Sequence, residues 1–332
     1  MSLRRRLKPI AIGLLLSGVL LFDDACHKAD ETSEAARRPV KIAVIYIGHH
    51  ELIDQIIDGF KEQLQRELPQ GTFEVFEKHA NGDKTQIGSA VAAAVQNGAD
   101  ILVPISTPVT VLALQYANEH RQVCFLGVTD PKGAGVVKSL ERPESATGTS
   151  DLEPFEEILE FIHEVQPTAR VIGFPYSPDE QPAVFSRDQV VKLSRKYGFT
   201  VRHRQVASED DLSIVVRELA RQTDCLLTGA DNAMFAAAGR VADIAARNHR
   251  PYFAGDSTSI SAGAVGGYTI NYLDVGREGA KLVRQIVIDK KKAGEIPVKL
   301  MATGVLELNP RAAALVGIAF SQLILDRAQK KY

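Results

Sequence analysis

The amino-acid sequence predicts an α/β protein of two doubly wound, Rossmann-like lobes joined by a hinge. Three observations carry this. From Val40 onward short apolar runs alternate with amphipathic helical stretches; the alternation passes twice through the same order; and a segment rich in glycine, proline, serine and threonine, Asp130 to Ser150, parts the two passes. Repeated strand–helix units imply a parallel sheet covered on both faces, and a Gly/Pro-rich break is where a linker belongs.

The first pass reads as strand Lys41–Ile47, helix Ile53–Glu67 with apolar residues at helical spacing, strand Phe73–Glu77, helix Lys84–Asn97, strand Ile101–Pro104, helix Val109–Glu119 and strand Val123–Val128. The second reads as helix Pro154–Glu164, strand Arg170–Phe174, helix Ala183–Tyr197, strand Thr200–Gln205, helix Asp211–Gln222, strand Cys225–Thr228, helix Ala233–Ala246 and strand Tyr252–Gly255. With 332 residues and 45% hydrophobic content the chain can fill two cores.

Ahead of this body, Arg4, Arg5, Arg6 and Lys8 precede an apolar run from Ile10 to Phe22, shorter than the about 20 residues a bilayer span needs. That is the pattern of an export signal, residues 1–26. Cys26 stands where a lipoprotein signal places its acylated cysteine, after the small Ala25, whereas Asp23 and Asp24 depart from an apolar lipobox; lipid anchoring and plain cleavage nearby both stay open. Residues 27–38 are polar, as in a tether. Cys124 and Cys225 each sit inside an apolar run, one per lobe, and read as inert core thiols.

A net charge of -2, 6% aromatic residues and no tryptophan give neither the basic field nor the stacking surfaces that nucleic acid requires. No G-x-S-x-G elbow, P-loop, Cys–His signature or G-x-G-x-x-G after the first strand is present, so no enzyme activity and no cofactor are expected. His49, His50 and Glu51 are adjacent and point different ways, with no second half to complete a metal site.

Open α/β sheets bind ligands beyond the carboxyl ends of their strands. Here those loops carry Gly48-His49-His50-Glu51, Ser106-Thr107-Pro108, Thr129-Asp130-Pro131, Pro175-Tyr176-Ser177, Gly229-Ala230-Asp231-Asn232 and Asp256-Ser257. Most pair a short polar side chain with a helix start, a pattern that suits ligand contact and N-capping equally. Asp130, held extended by Pro131, can face a cleft or cap a turn; Asp231 and Asn232 can meet a ligand or cap a helix; Thr107 and Thr147 offer hydroxyls to either; Tyr176 can pack a flat ligand or the core.

At these loops the chain resembles the ABC-transporter substrate-binding family whose better-known members bind aromatic amino acids. The motifs are Ala80-Asn81-Gly82-Asp83, Ser106-Thr107-Pro108, Thr129 to Val137 with Ser139-Leu140 and Pro143, Thr147-Gly148, Asp231-Asn232, Ala262-Gly263-Ala264, and Tyr272 with Gly276 and Gly279. The resemblance implies a type I periplasmic-binding fold with three hinge crossings: residues 39–147 and 258–296 in the first lobe, 148–257 and 297–332 in the second. It implies a monomer, periplasmic or anchored on the outer side of the cytoplasmic membrane, that closes on a small molecule and delivers it to an ABC permease and its ATPase. The strand-end loops and the resemblance together nominate His50, Thr107, Thr129, Asp130, Thr147, Tyr176, Glu180, Asp231, Asn232 and Asp256 as ligand-binding residues, and the resemblance sets Asp231 opposite an amine. Two departures stand out. Gln181-Pro182-Ala183 replaces an Asn-Ser after Tyr176 and Glu180, and His50-Glu51 replaces a His-Pro. Loss of polar groups motivates an alternative cargo, a lipid or sterol-like molecule. Transcriptional repressors sharing this body carry an N-terminal helix-turn-helix where this chain has its export signal, which argues against that role.

Overall fold

The computed structural model describes residues 38–301 and 304–332. The expected export signal, the tether up to residue 37 and Cys26 lie outside the described residues.

β1 (Val40–Tyr46) shows why the first lobe has three layers. Ile42, Val44 and Tyr46 are buried in one cluster and Ala43 and Ile45 in another, so both faces of the strand need a cover. α1 (Glu51–Glu67) covers the first face. After β2 (Phe73–His79), α2 (Ile87–Gln96) covers the second, followed by β3 (Ile101–Pro104), α3 (Thr107–Ala113), β4 (Gln122–Phe125) and β5 (Thr147–Ser150). β1 pairs in parallel with β2 and with β3, setting Val44 between Glu77 and Val103. The predicted helix Lys84–Asn97 begins with a tight turn, Lys84–Gln86, which Asp83 caps by accepting from the Thr85 N–H at 2.9 Å.

The second lobe repeats the scheme with α4 (Phe155–Val165), β6 (Val171–Tyr176), α5 (Gln181–Ser194), β7 (Thr200–Gln205), α6 (Glu209–Gln222), β8 (Cys225–Thr228), α7 (Asn232–Ala236), α8 (Ala238–Arg247), β9 (Tyr252–Ala254), α9 (Ser257–Ala262) and β10 (Gly266–Thr269). The single helix expected over Ala233–Ala246 is broken at Ala237. The chain then returns to the first lobe for α10 (Tyr272–Val287) and β11 (Lys299–Leu300), and ends in the second with β12 (Val305–Leu308), α11 (Pro310–Leu315), α12 (Gln322–Arg327) and β13 (Lys330–Lys331).

The sheets run β2-β1-β3-β4-β5-β11 and β7-β6-β8-β9-β10-β12-β13, two doubly wound lobes of the same leading order. The crossings fall later than expected. The segment from Asp130 is no free linker: Val136, Val137 and Ala146 enter the first lobe's core, and β5 pairs with β4, so the chain leaves after Ser150 rather than after residue 147. It does not return after residue 257, because β10 lies between β9 and β12; the return follows Thr269. The last crossing follows β11, which pairs with β5, and not residue 296.

α10 packs along α1 with no room for side chains at the crossing. A Cβ on Gly276 would stand 2.1 Å from the Ile56 carbonyl oxygen and 2.6 Å from the Phe60 nitrogen, and one on Gly59 would stand 2.1 Å from the Leu273 oxygen. Cys124 and Cys225 lie in β4 and β8 as fully buried thiols without a disulfide, and burial pushes both well above the ordinary thiol range. Among the described residues, no helix is long and apolar enough to cross a membrane.

Candidate functional site: the interlobe cleft

In both sheets the strand order reverses beside the first strand, between β1 and β3 and between β6 and β8, and loops diverge at such switch points to leave a crevice. The loops after β1 and β3 bring His50 and Ser106 to it, the loop after β8 brings Asn232, and the crossings bring Asp151 and Tyr272. With Phe235 these line a cavity of about 30 Å³. Ile53 and Ile56 of α1 add an apolar wall. Such a volume holds about one water, so any larger ligand enters only when the lobes part.

The cleft holds an unusual concentration of unsatisfied polar atoms. His50 Nδ1, Ser106 Oγ, Thr107 Oγ1 and the Tyr272 hydroxyl are buried without a hydrogen-bond partner. Buried polar groups are ordinarily paired, and unpaired ones in a cleft are what a ligand would satisfy. Burial holds the His50 imidazole below its ordinary pKa, outweighing the nearby Asp54 and Glu180 charges, so it faces the cleft neutral.

Ser106 also carries backbone strain, with φ 77° and ψ 158°, a region that essentially only glycine adopts freely. Ser106→Gly is therefore expected to raise stability by about 1 kcal/mol while weakening ligand binding through the lost hydroxyl. Paired denaturation and calorimetric titrations would show it; a variant that loses stability and keeps affinity contradicts the assignment.

Acidic groups gather at the crossings. Asp151 accepts from the Thr129 hydroxyl at 3.0 Å, and burial pushes its carboxyl up to about 6. Glu153 accepts from the Ala230 N–H at 2.7 Å through one oxygen while the other is unpartnered; burial, then the Asp256 charge, hold it well above the usual range. Asp256 caps α9 through the Ser259 N–H at 2.7 Å, leaves Oδ2 buried and unpartnered, and is pushed by burial up to about 6. Glu307 accepts from Ser257 at 2.8 Å and Thr269 at 3.1 Å. No lysine or arginine lines the cavity.

The structure sorts the expected site residues. His50 and Asn232 line the cavity; Thr107 follows the lining Ser106 with its hydroxyl buried and unpartnered; Thr129 stands behind the lining Asp151, and Asp256 caps α9 outside the lining. Asp231 caps α7, accepting from the Ala233 and Met234 N–H groups at 3.0 and 3.2 Å, and also holds the Ser177 N–H and hydroxyl at 2.7 and 2.9 Å; its oxygens are occupied. Glu180 bonds Asn232 rather than lining the cavity. Asp130 caps its own turn through the Gly133 N–H at 2.9 Å, and Thr147 sits inside β5 and donates to the Pro297 carbonyl at 3.3 Å. Tyr176 is buried under Arg187, whose guanidinium lies 4.7 Å from its ring centroid and donates to its hydroxyl at 2.9 Å. His49 turns to Tyr46 and Asp54, at 3.0 and 2.7 Å, and among the described residues no group of three His, Cys, Asp or Glu could hold a metal ion.

Pro182 and Ala183 are buried in α5, and Ala183 packs in the second lobe's core outside the cavity. Their apolar character therefore does not strip the cleft of polar groups, which come instead from Ser106, Asp151 and Tyr272. Sequence reasoning missed Asp151, Glu153 and Phe235 as site residues, although Asp151 and Glu153, two apart just after a strand of small residues, were a readable signal.

Comparison with known proteins agrees with this architecture. The family model described as ABC transporter substrate binding protein matches residues 41–332. A tyrosine-binding protein of Clostridioides difficile is 25% identical over 299 residues, 86% of each chain. A conserved domain protein from Vibrio cholerae superposes with a TM-score of 0.84 at 26% identity, covering 89% of this chain and 100% of its own. A Streptococcus pneumoniae ABC domain in complex with L-Trp superposes with the same score, 0.84, at 24% identity and over the same shares, 89% and 100%.

Proposed function

Since the chain belongs to the ABC transporter substrate-binding protein family, whose members bind solutes and are not enzymes, we propose that it captures an amino acid with a large apolar or aromatic side chain in this cleft. The protein works outside the cytoplasmic membrane, where its export signal sends it, and hands the solute to an ABC permease driven by its ATPase. The observation that carries this reading is the buried Asp151 in the cavity wall, with Glu153 and Asp256 buried near it and no lysine or arginine among the lining residues. An ammonium group would relieve the cost of those buried acids, and the free hydroxyls of Ser106, Thr107 and Tyr272 would meet a ligand carboxylate. Phe235, Ile53 and Ile56 suit the side chain. The names of similar proteins, one tyrosine-binding and one bound to L-Trp, point the same way.

A lipid or sterol-like cargo is not favoured, since it would bury Asp151 and its neighbours against hydrocarbon with no compensating charge. Calorimetric titration and thermal shift with tyrosine, tryptophan, phenylalanine and leucine, beside 3-phenylpropionate and a fatty acid, test the choice. At a hundredfold excess over Kd a true ligand adds about 2.7 kcal/mol of stability. We expect that gain from an aromatic amino acid and none from its deaminated analogue. Equal binding of 3-phenylpropionate would refute the amine requirement.

A further inference from the structure

Lys84 stands in the first lobe, in the tight turn after β2, yet its ammonium lies 2.8 Å from Glu180 and 3.0 Å from Asp179 in the second. Among the described residues, the ion pairs that join the two lobes are both made by Lys84. The Glu180 side chain is 1% exposed, and its other oxygen accepts from the backbone N–H and side-chain amide of Asn232 at 3.0 and 2.7 Å. Asn232 in turn lines the cavity. We propose that Lys84 is a positioning residue that latches the closed lobes and, through Glu180, sets the Asn232 amide against the solute.

The physical argument is the asymmetry of exposure. Glu180 is buried and its charge is costly without a partner, so parting the lobes strips it of Lys84 and must admit water instead. Lys84 is 39% exposed, within reach of dissolved ions, so the latch weakens with salt. Burial alone would lower the Lys84 pKa, but Glu180 and then Asp179 outweigh it and hold the ammonium above its ordinary value, charged throughout the physiological range. Asp179, 60% exposed, adds little.

The role of Asn232 rests on the cleft being the solute site; the latch itself does not. The test uses the purified protein with Lys84→Met, Glu180→Gln, the double variant and Lys84→Arg. Small-angle X-ray scattering without ligand reads lobe opening at low and high salt, and titration with tyrosine and tryptophan reads affinity. Wild type and Lys84→Arg should be compact at low salt and open as salt rises. Lys84→Met should be open at both, with its melting transition still cooperative. Affinity should fall about tenfold in Lys84→Met, mainly through faster dissociation, and the double variant should lose no more than either single change, as expected of two residues acting through one contact. Scattering of Lys84→Met that matches wild type at low salt, or losses that add in the double variant, would overturn the latch. Salt-dependent closure that depends on Lys84, in a protein that binds none of tyrosine, tryptophan, phenylalanine and leucine, would refute the solute reading and leave the latch standing. Binding with closure indifferent to Lys84 would do the reverse.

Discussion

Gly276→Val is expected to destabilise the protein by about 3 kcal/mol or more, the largest effect of any single substitution considered. The position it must enter is bounded by backbone: the new Cβ would stand 2.1 Å from the Ile56 oxygen and 2.6 Å from the Phe60 nitrogen, atoms committed to α1 that cannot rotate away as a side chain would. The helices would have to separate along their whole line of contact, loosening Ile53, Ile57 and Phe60 from Val275 and Val283, all now buried in one cluster. Overpacking of this kind costs about 1–3 kcal/mol before lost burial is added. Urea denaturation of Gly276→Ala and Gly276→Val should give falling midpoints in that order. A valine variant as stable as wild type would mean that the two helices do not approach as described.

Acidification is expected to move stability and affinity in opposite directions. Asp151 and Asp256 titrate near 6 in the folded protein against 3.8 ordinarily, both chiefly through burial. The folded state thus holds their protons more tightly than the unfolded chain does. Their stabilising contribution is complete below about pH 4 and is lost as pH rises through about 6, up to about 3 kcal/mol for each group. The ligand-free melting temperature should rise between about pH 7.5 and 5. Below that range Asp83 and Asp100, whose pKa values are lowered by folding, begin to lose their contribution and the trend reverses. An ammonium-bearing solute needs the carboxylates ionised, so its affinity should fall as pH drops below 6, approaching tenfold per pH unit if one proton must be displaced. Melting curves and titrations over this range would decide. Affinity that climbs on acidification would exclude pairing of an amine with these acids.

The central strands were legible in the sequence because they are buried on both faces and bounded by clear helices, as Ile42 to Tyr46 show. β5, β10, β11, β12 and β13 were not read as strands: Thr147-Gly148-Thr149-Ser150 and Gly266-Gly267-Tyr268-Thr269 carry no apolar period, Lys299-Leu300 and Lys330-Lys331 are too short to show one, and their partners in space make them strands. That is why the crossings were drawn too early. At the cleft, the rule that loops at strand ends bind ligands picked out His50 and Asn232, which line the cavity, and Thr107, next to the lining Ser106. It could not separate them from Asp130, Asp231 and Asp256, because a short acidic side chain ahead of a helix or tight turn is the same signal whether it caps or binds. Asp151 and Tyr272 flank crossings whose path depends on the assembled lobes. Tyr176 closes a strand beside β7, where Arg187 and Gln205 take its hydroxyl.

The three crossings also bear on the order in which the molecule can be made. β11, the outermost strand of the first sheet, and α10, which covers α1, lie at residues 299–300 and 272–287, beyond β6 to β10 of the second lobe. A growing chain cannot complete its first lobe until most of the second has left the ribosome, so the usual course of finishing one domain before starting the next is closed to it. A fragment ending at Ser150 would carry five strands with the α10-facing side of α1 uncovered, and so would be a substrate for chaperones or proteases rather than a half-sized binder.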